Sequence, residues 1–141
     1  MPDKPVVLDT NLLILFAGGL ASPRHIATHK RLGQYLKRDF DLLRGLLARA
    51  SRIVVTPNTL TEAFNLSVYI AEPVRAQIKR VFRDLLTATE EIYVESGRAS
   101  RHAAFDRLGL TDCVVLEAAT ADHVVVTDDL GLYLQVAKQR A

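Results

Sequence analysis

Three short runs of apolar, mostly β-branched residues constrain the fold of this chain more than any other feature. They are Lys4–Asp9 (KPVVLD), Arg52–Pro57 (RIVVTP) and His123–Asp129 (HVVVTDD). Continuous apolarity indicates strands that are buried on both faces, which is typical of parallel sheets between helices. A fourth run, Glu91–Glu95 (EIYVE), alternates polar and apolar residues and predicts a strand at a sheet edge.

Segments with helical spacing of apolar residues separate these runs. The helices are expected to begin at Asp39 or Asp41, at Thr59 or Thr61, at Pro73 and at Thr111, with a last helix over Leu130–Lys138. The Gly18-Gly19 pair lacks the Lys-Ser or Lys-Thr of a phosphate-binding loop and predicts a turn. This alternation predicts an α/β protein, a three-layer α/β/α sandwich with a central, mostly parallel sheet and right-handed crossovers.

Composition limits the class of protein. The chain has 141 residues, of which 49% are apolar, and a formal net charge of +2, which excludes intrinsic disorder and predicts a single domain over residues 1–141. Cys113 is the only cysteine, so an intrachain disulfide is excluded and a reducing, cytoplasmic location is expected. The apolar run Leu12–Phe16 is far shorter than the ~20 residues that a bilayer requires, so we expect neither a signal peptide nor a membrane anchor.

Acidic residues lie where the predicted strands end. They are Asp9 after the first strand, Glu62 soon after the second, Asp112 on the helix before the last strand, and Asp128 and Asp129 after that strand. Ligands of open parallel sheets bind beyond the carboxyl ends of the strands. We therefore expect these carboxylates to meet at one edge of the sheet.

Such a group of carboxylates needs a cation. Two like charges ~4 Å apart repel by about 4 kcal/mol at an effective dielectric constant of 20. Oxygen ligands without histidine or cysteine favour Mg²⁺ or Mn²⁺, and these ions promote phosphodiester hydrolysis. The pattern indicates nuclease chemistry.

Each acid also has an ordinary structural explanation. Asp112 and Asp128 fit the first turns of helices, where an acid is favoured by about 0.3 to 1 kcal/mol. Asp9 fits a turn, and Glu62 fits a capping box with Thr59. All of these separate structural roles would have to coincide at one edge of the sheet. A single metal site would account for all of the acids together.

The motifs around these acids resemble those of PIN domains over nearly the whole chain. They are Val7–Asn11 (VLDTN), Thr56–Glu62 (TPNTLTE), Leu110–Asp112 (LTD) and Val126–Asp129 (VTDD). The resemblance implies an Mg²⁺- or Mn²⁺-dependent endoribonuclease. Many bacterial and archaeal PIN domains are the toxins of VapBC-type toxin–antitoxin pairs, so it also implies a homodimer and a possible cognate antitoxin.

The resemblance also assigns roles to individual residues. Asp9, Glu62, Asp112 and Asp129 would be the metal-binding acids, with Asn11 and Thr127 as supporting polar groups. The usual spacing of Thr, a variable residue and then the acid selects Asp129. Because Asp128 adjoins it, both acids remain candidate ligands.

The segment over residues 12–51 is long for a compact PIN-domain toxin and is expected to contain an extra pair of helices. It would act as a lid, a dimer surface or a substrate guide. A stretch within it contains basic residues with no acid between Ser22 and Arg38: Arg24, Lys30, Arg31, Lys37 and Arg38. This stretch is either a surface that binds nucleic-acid phosphates or a solvated helix face.

Other classes of enzyme fit the sequence less well. A phosphomonoesterase with an aspartyl nucleophile would need a second Asp two residues after Asp9, where this chain has Asn11. His25 and His29 have helical spacing but lack the Glu next to the first His that a zinc protease requires. A non-enzymatic alternative is an inactive PIN domain that binds RNA or a protein.

Overall fold

The computed structural model describes residues 4–141 and contains a four-stranded, all-parallel sheet flanked by helices. The strands are β1 (Pro5–Leu8), β2 (Arg52–Val55), β3 (Glu90–Glu91) and β4 (Val124–Val126). Their order across the sheet is β3-β2-β1-β4. The predicted α/β class and parallel sheet are confirmed.

Helices connect the strands. They are α1 (Thr10–Ala21), α2 (Arg24–Thr28), a 3₁₀ turn (Lys30–Leu32), α3 (Lys37–Ala48), α4 (Pro57–Ser67), α5 (Val74–Ala88), α6 (Ser96–Ser100), α7 (Phe105–Leu108), α8 (Leu110–Ala118) and α9 (Leu130–Gln139). Among these described helices none has the length and apolarity needed to cross a membrane. The segment over residues 12–51 is helical, as expected, and comprises most of α1 together with α2, the 3₁₀ turn and α3.

The two faces of the sheet pack against different helices. Val6 and Leu8 of β1 lie in an apolar core with residues of α1, α3, α4 and α5. Val7, between them in β1, lies in a second core with residues of α8 and α9. Because successive strand side chains point to opposite faces, β1 supplies both cores and holds the three layers together.

The two edge strands differ from their predictions. β4 was expected to be buried on both faces, but its residues are only half-buried because it pairs with β1 alone. The predicted edge strand over Glu91–Glu95 is at an edge, but the strand covers only Glu90–Glu91. The amide of Ile92 still donates to the Val55 carbonyl at 2.9 Å, after which the chain leaves the sheet.

Several helices begin at other residues than the sequence pattern predicted. Helix α4 is capped by the Thr56 hydroxyl, which accepts from the Thr59 amide at 3.2 Å, so neither Thr59 nor Thr61 is the cap. Helix α8 follows Gly109, whose φ of 85° suits glycine, and Thr111 therefore lies inside the first turn.

The starts of α3 and α5 lie close to their predicted residues. Helix α3 begins at Lys37, before both predicted starts, and the Asp39 carboxylate accepts from the Leu36 amide at 2.8 Å. Helix α5 begins directly after Pro73, close to the predicted start. The last predicted helix is confirmed as α9.

Two of the buried histidines, His25 and His29, have structural roles. The imidazole of His29 bonds the Ser67 carbonyl at 2.9 Å through Nε2 and accepts from the Arg31 amide at Nδ1. His25 bonds the Gln77 side chain at 3.2 Å. These contacts connect α2 and the 3₁₀ turn to α4 and α5.

The Gly18-Gly19 pair forms no turn; both residues lie inside α1 and are buried. A Cβ atom added at Gly19 would overlap the ring of Phe40 in α3. The glycine therefore permits the close contact between α1 and α3. In contrast, a Cβ atom at Gly45 would meet no atom within 4 Å.

We predict that Gly19→Ala lowers the free energy of unfolding by about 1 to 3 kcal/mol, because the Phe40 ring has to move out of a packed core. Gly45→Ala, on an exposed part of α3, should raise it by about 0.5 to 1 kcal/mol through helix propensity alone. Urea denaturation of the two variants measures both effects. A Gly19→Ala protein as stable as Gly45→Ala would contradict the packing described here.

Candidate metal centre

Asp9 lies directly after β1 and begins α1 as its N-cap. One carboxylate oxygen accepts from the Leu12 amide at 3.2 Å, and the other accepts from the Thr127 hydroxyl. Only 5% of the residue is exposed. Burial raises the pKa of Asp9 to about 6; the two hydrogen bonds oppose this shift, and repulsion by Asp128 and Asp129 adds to it.

Thr127 connects Asp9 to Asp129. Its hydroxyl donates to the Asp9 carboxylate and accepts from the Asp129 amide at 2.9 Å. Asp129 is the N-cap of α9, and its Oδ1 accepts from the Leu132 amide at 3.0 Å. The supporting role that the resemblance implies for Thr127 therefore matches a contact in the structure.

Asp112 lies in the first turn of α8 and is half-buried. Burial raises its pKa to about 6, and repulsion by Asp129, Asp9 and Glu62 adds to the shift. Four acids from different parts of the chain thus lie within electrostatic range of one another. This is the grouping that the strand ends predicted.

Glu62 lies on the exposed side of α4, one turn beyond its start. Its Oε2 accepts from the Thr111 hydroxyl at 3.0 Å, which connects α4 to the first turn of α8. The capping box between Glu62 and Thr59 is absent because Thr56 caps the helix. Thr111, expected to be a helix cap, instead positions Glu62.

The adjacent acids Asp128 and Asp129 have different surroundings. Asp128 is exposed; its Oδ1 accepts from the Asn11 amide at 3.4 Å, while Oδ2 accepts from the Gln34 amide at 3.0 Å and from the Tyr35 hydroxyl. Burial and the hydrogen bond to Asp128 raise the pKa of Tyr35 above its ordinary value. Of these two adjacent acids, Asp129 and not Asp128 adds to the raised pKa of Asp112.

The described ion pairs are Lys37–Asp41, Arg52–Glu90 and Arg98–Glu117. Within residues 4–141, none of the acids at this edge belongs to such a pair. In the same range no three His, Cys, Asp or Glu side chains are close enough together to hold one metal ion. The acids therefore lie near one another, but no three of their side chains surround a common point.

The donor atoms at this edge suit a hard divalent cation. Every candidate ligand is a carboxylate, and neither histidine nor cysteine takes part, which fits Mg²⁺ or Mn²⁺ and disfavours zinc or copper. Closing the site around one ion requires the carboxylates to turn toward each other. The residues thus fit the ion in chemistry.

The predicted basic residues are all exposed: Arg24, Lys30, Arg31, Lys37 and Arg38. They lie on α2, the 3₁₀ turn and the start of α3. Lys37 pairs with Asp41 at 2.9 Å. Both interpretations of the stretch, phosphate binding and a solvated face, are compatible with this exposure.

Sequence reasoning missed Gln34, Tyr35 and the contact of Thr111 with Glu62. Tyr35 and Asp128 are 93 positions apart, and Tyr35 belongs to none of the motifs. Thr111 directly precedes the proposed ligand Asp112 in the sequence. This position was the feature that could have indicated a supporting role for Thr111.

Comparison of the chain with protein-family models, curated proteins and solved structures finds no match. The functional interpretation therefore depends on the geometry of the site and on the motifs themselves. The fold shown is an α/β protein with a parallel sheet and acids at its carboxyl edge.

We predict that the metal-free protein becomes less stable as the pH rises from about 4 to about 6. The folded pKa values of Asp9 and Asp112 lie above 3.8, the ordinary value of an aspartate, so the folded state holds protons that the unfolded state has released. Each group is expected to contribute about 1 to 2 kcal/mol to this loss. Urea denaturation in EDTA across this pH range measures the slope.

The matched variants are Asp112→Asn and Asp41→Asn. The first removes a titrating group with a raised pKa and should flatten the slope. Asp41→Asn removes an exposed charge elsewhere and should keep it. Identical slopes for wild type and Asp112→Asn would show that the carboxyl edge is not the source of the pH dependence.

Proposed function

We propose that this chain is a divalent-metal-dependent endoribonuclease of the PIN type, with Asp9, Glu62, Asp112 and Asp129 as the metal-binding and catalytic acids. One observation carries the proposal. Burial raises the pKa of Asp112, the other three acids, which come from separate elements, add to the shift, and no ion pair within residues 4–141 neutralises them. A divalent cation is the partner that such a charge distribution favours.

Two of the acids are held in place by the fold. The amides of Leu12 and Leu132 bind one oxygen of Asp9 and of Asp129 respectively, and Thr127 stands between the two acids. Thr111 orients Glu62. Such outer contacts fix the direction of ligand carboxylates and strengthen metal binding.

Asp112 has the most freedom of the four acids, since no hydrogen bond reaches its carboxylate among residues 4–141. Its side chain can turn toward Asp9 and Asp129 when a cation relieves the repulsion. An Mg²⁺ or Mn²⁺ ion bound there supplies polarisation of a phosphodiester and activation of an attacking water.

Asp128 has a structural role in the proposed site and is not one of its metal ligands. Its carboxylate already accepts hydrogen bonds from Asn11, Gln34 and Tyr35, so it ties the loop before α3 to the end of β4. We therefore favour Asp129 over Asp128 as the ligand. Asn11 supports the site through Asp128 and not through a direct contact with the other acids.

RNA is proposed as the substrate because of the motif resemblance and the exposed basic residues of the 12–51 segment. The same resemblance leads us to propose a homodimer and a cognate antitoxin as a partner, and the single cysteine leads us to propose a cytoplasmic location. We place nuclease activity ahead of a toxin role, because the 12–51 segment is longer than in compact PIN-domain toxins.

One observation favours a second candidate function. No three acids of residues 4–141 stand close enough together to hold one ion, as expected of an inactive PIN domain that binds RNA or a protein. The two functions differ in one measurable property, which is cleavage.

We predict that purified protein cleaves single-stranded or structured RNA in Mn²⁺ or Mg²⁺ and that EDTA abolishes the cleavage. Asp112→Asn should lower the rate by at least about 100-fold, because it removes a charge from the group that holds the ion. Gel analysis of labelled RNA measures the rate.

Asp106→Asn is the matched control, because Asp106 is an exposed acid in α7, six positions before Asp112. This variant should keep the wild-type rate. Cleavage that survives both EDTA and Asp112→Asn would contradict the metal site, and salt-sensitive RNA binding without any cleavage would favour the binding module.

A further inference from the structure

A cleft of about 600 Å³ lies between α1, α3 and the end of β4. Its apolar lining includes Leu12 and Leu15 of α1, Leu46 of α3 and Val126 of β4. Clefts of this size with mostly apolar walls and a few polar groups are typical of small-molecule and cofactor sites. The four-carboxylate proposal assigns no role to it.

The cleft is continuous with the carboxyl edge of the sheet. Thr127, which donates to Asp9, and its neighbour Asp128 both line it. A strand with one phosphate at Asp9 and Asp112 would therefore place an adjacent nucleotide at the opening of the cleft. The size of the cleft is ample for one base.

The polar groups of the cleft are mainly hydrogen-bond acceptors. Asp39 uses one carboxylate oxygen to accept from the Leu36 amide, and its other oxygen accepts from no donor within residues 4–141. Asp128 adds a second negative charge, although Asn11, Gln34 and Tyr35 already donate to it. Gln34 donates its amide to Asp128, and within residues 4–141 no donor reaches its carbonyl oxygen. Adenine, cytosine and guanine carry an exocyclic amino group that donates to such acceptors, whereas uracil has no amino group and presents a single ring N–H between two carbonyl oxygens, which carboxylates repel.

Tyr35 adds a fixed aromatic side chain to the lining. Its hydroxyl is bonded to Asp128, and the residue is half-buried. Unpaired RNA bases stack on side chains of this kind. Exposed cations border the same loop on both sides, Lys30 and Arg31 before it and Lys37 and Arg38 after it, and favour the phosphates of a nucleic-acid strand.

We infer that this cleft binds one unpaired, amino-bearing base of a single-stranded RNA, next to the phosphodiester held at the carboxyl edge. The choice of RNA as the strand rests on the proposed function. The base preference comes from the acceptors Gln34 and Asp39 and from the negative charge of Asp128, together with the wall formed by Tyr35. The cleft would thus select the nucleotide beside the cleavage position.

Binding of fluorescein-labelled oligoadenylate, oligocytidylate and oligouridylate tests this inference. The assay is fluorescence anisotropy in EDTA at low salt, so that no RNA is cleaved. We expect oligouridylate to bind about tenfold more weakly than the other two, the size of effect that one or two lost hydrogen bonds produce. Replacing adenosine by purine riboside, which lacks the amino group, should remove the preference.

Two pairs of variants test whether the base preference and the RNA binding come from this cleft. Asp39→Asn exchanges an acceptor for a donor in the cleft and should reduce the preference, whereas Asp41→Asn, on the same helix but outside the cleft, should not. Leu46→Trp fills the cleft and should weaken binding of oligoadenylate, whereas Leu134→Trp, on the exposed face of α9, should not. Circular dichroism checks that each variant is folded.

The outcomes separate this inference from the proposed function. Equal affinities for the three oligonucleotides, no binding of any of them, or no effect of Leu46→Trp would overturn the base site, even if the protein cleaves RNA. A base preference lost in Leu46→Trp but unaccompanied by cleavage in Mn²⁺ would support the base site and contradict the nuclease.

Discussion

Repulsion between carboxylates at the ends of β1 and β4 is the interaction on which the rest of the site depends. Parallel strands bring their carboxyl ends to one edge, and the burial of Asp9 removes the water that would screen its charge there. At Asp9, burial raises the pKa to about 6 although two donors bind its carboxylate, and repulsion by Asp128 and Asp129 adds to this shift. The fold tolerates this cost because Asp9 and Asp129 also begin the helices α1 and α9. Structural capping and the proposed chemistry thus share the same side chains.

Thr127 and the Asp128 network divide the edge into two parts. On one side, Thr127 joins Asp9 and Asp129 close to Asp112. On the other side, Asp128 binds Gln34 and Tyr35 and borders the cleft between α1 and α3. A single pair of adjacent aspartates therefore serves two neighbouring regions, one suited to a cation and the other to a base. The half-buried edge strand β4 supplies the residues that lead into both.

The sequence predicted the α/β class and the parallel sheet, because continuous apolar runs are a property of the chain itself. It also predicted that the acids approach one another, since parallel strands bring their carboxyl ends, and with them Asp9 and Asp129, to the same edge. It did not predict the Thr56 cap of α4 or the start of α8 after Gly109, because these depend on local backbone geometry. The separate surroundings of Asp128 and Asp129 follow from side-chain directions and from a contact with Tyr35 that is distant in sequence. No local pattern encodes such a contact.

Anomalous diffraction from crystals soaked in Mn²⁺ tests the central claim most directly, namely that folding gathers these acids into a site for a divalent cation. The account predicts an anomalous peak bounded by the carboxylates of Asp9, Asp112 and Asp129, with the side chain of Asp112 turned toward it. Crystals that contain Mn²⁺ at other positions and none at this edge, with the carboxylates still apart, would contradict it.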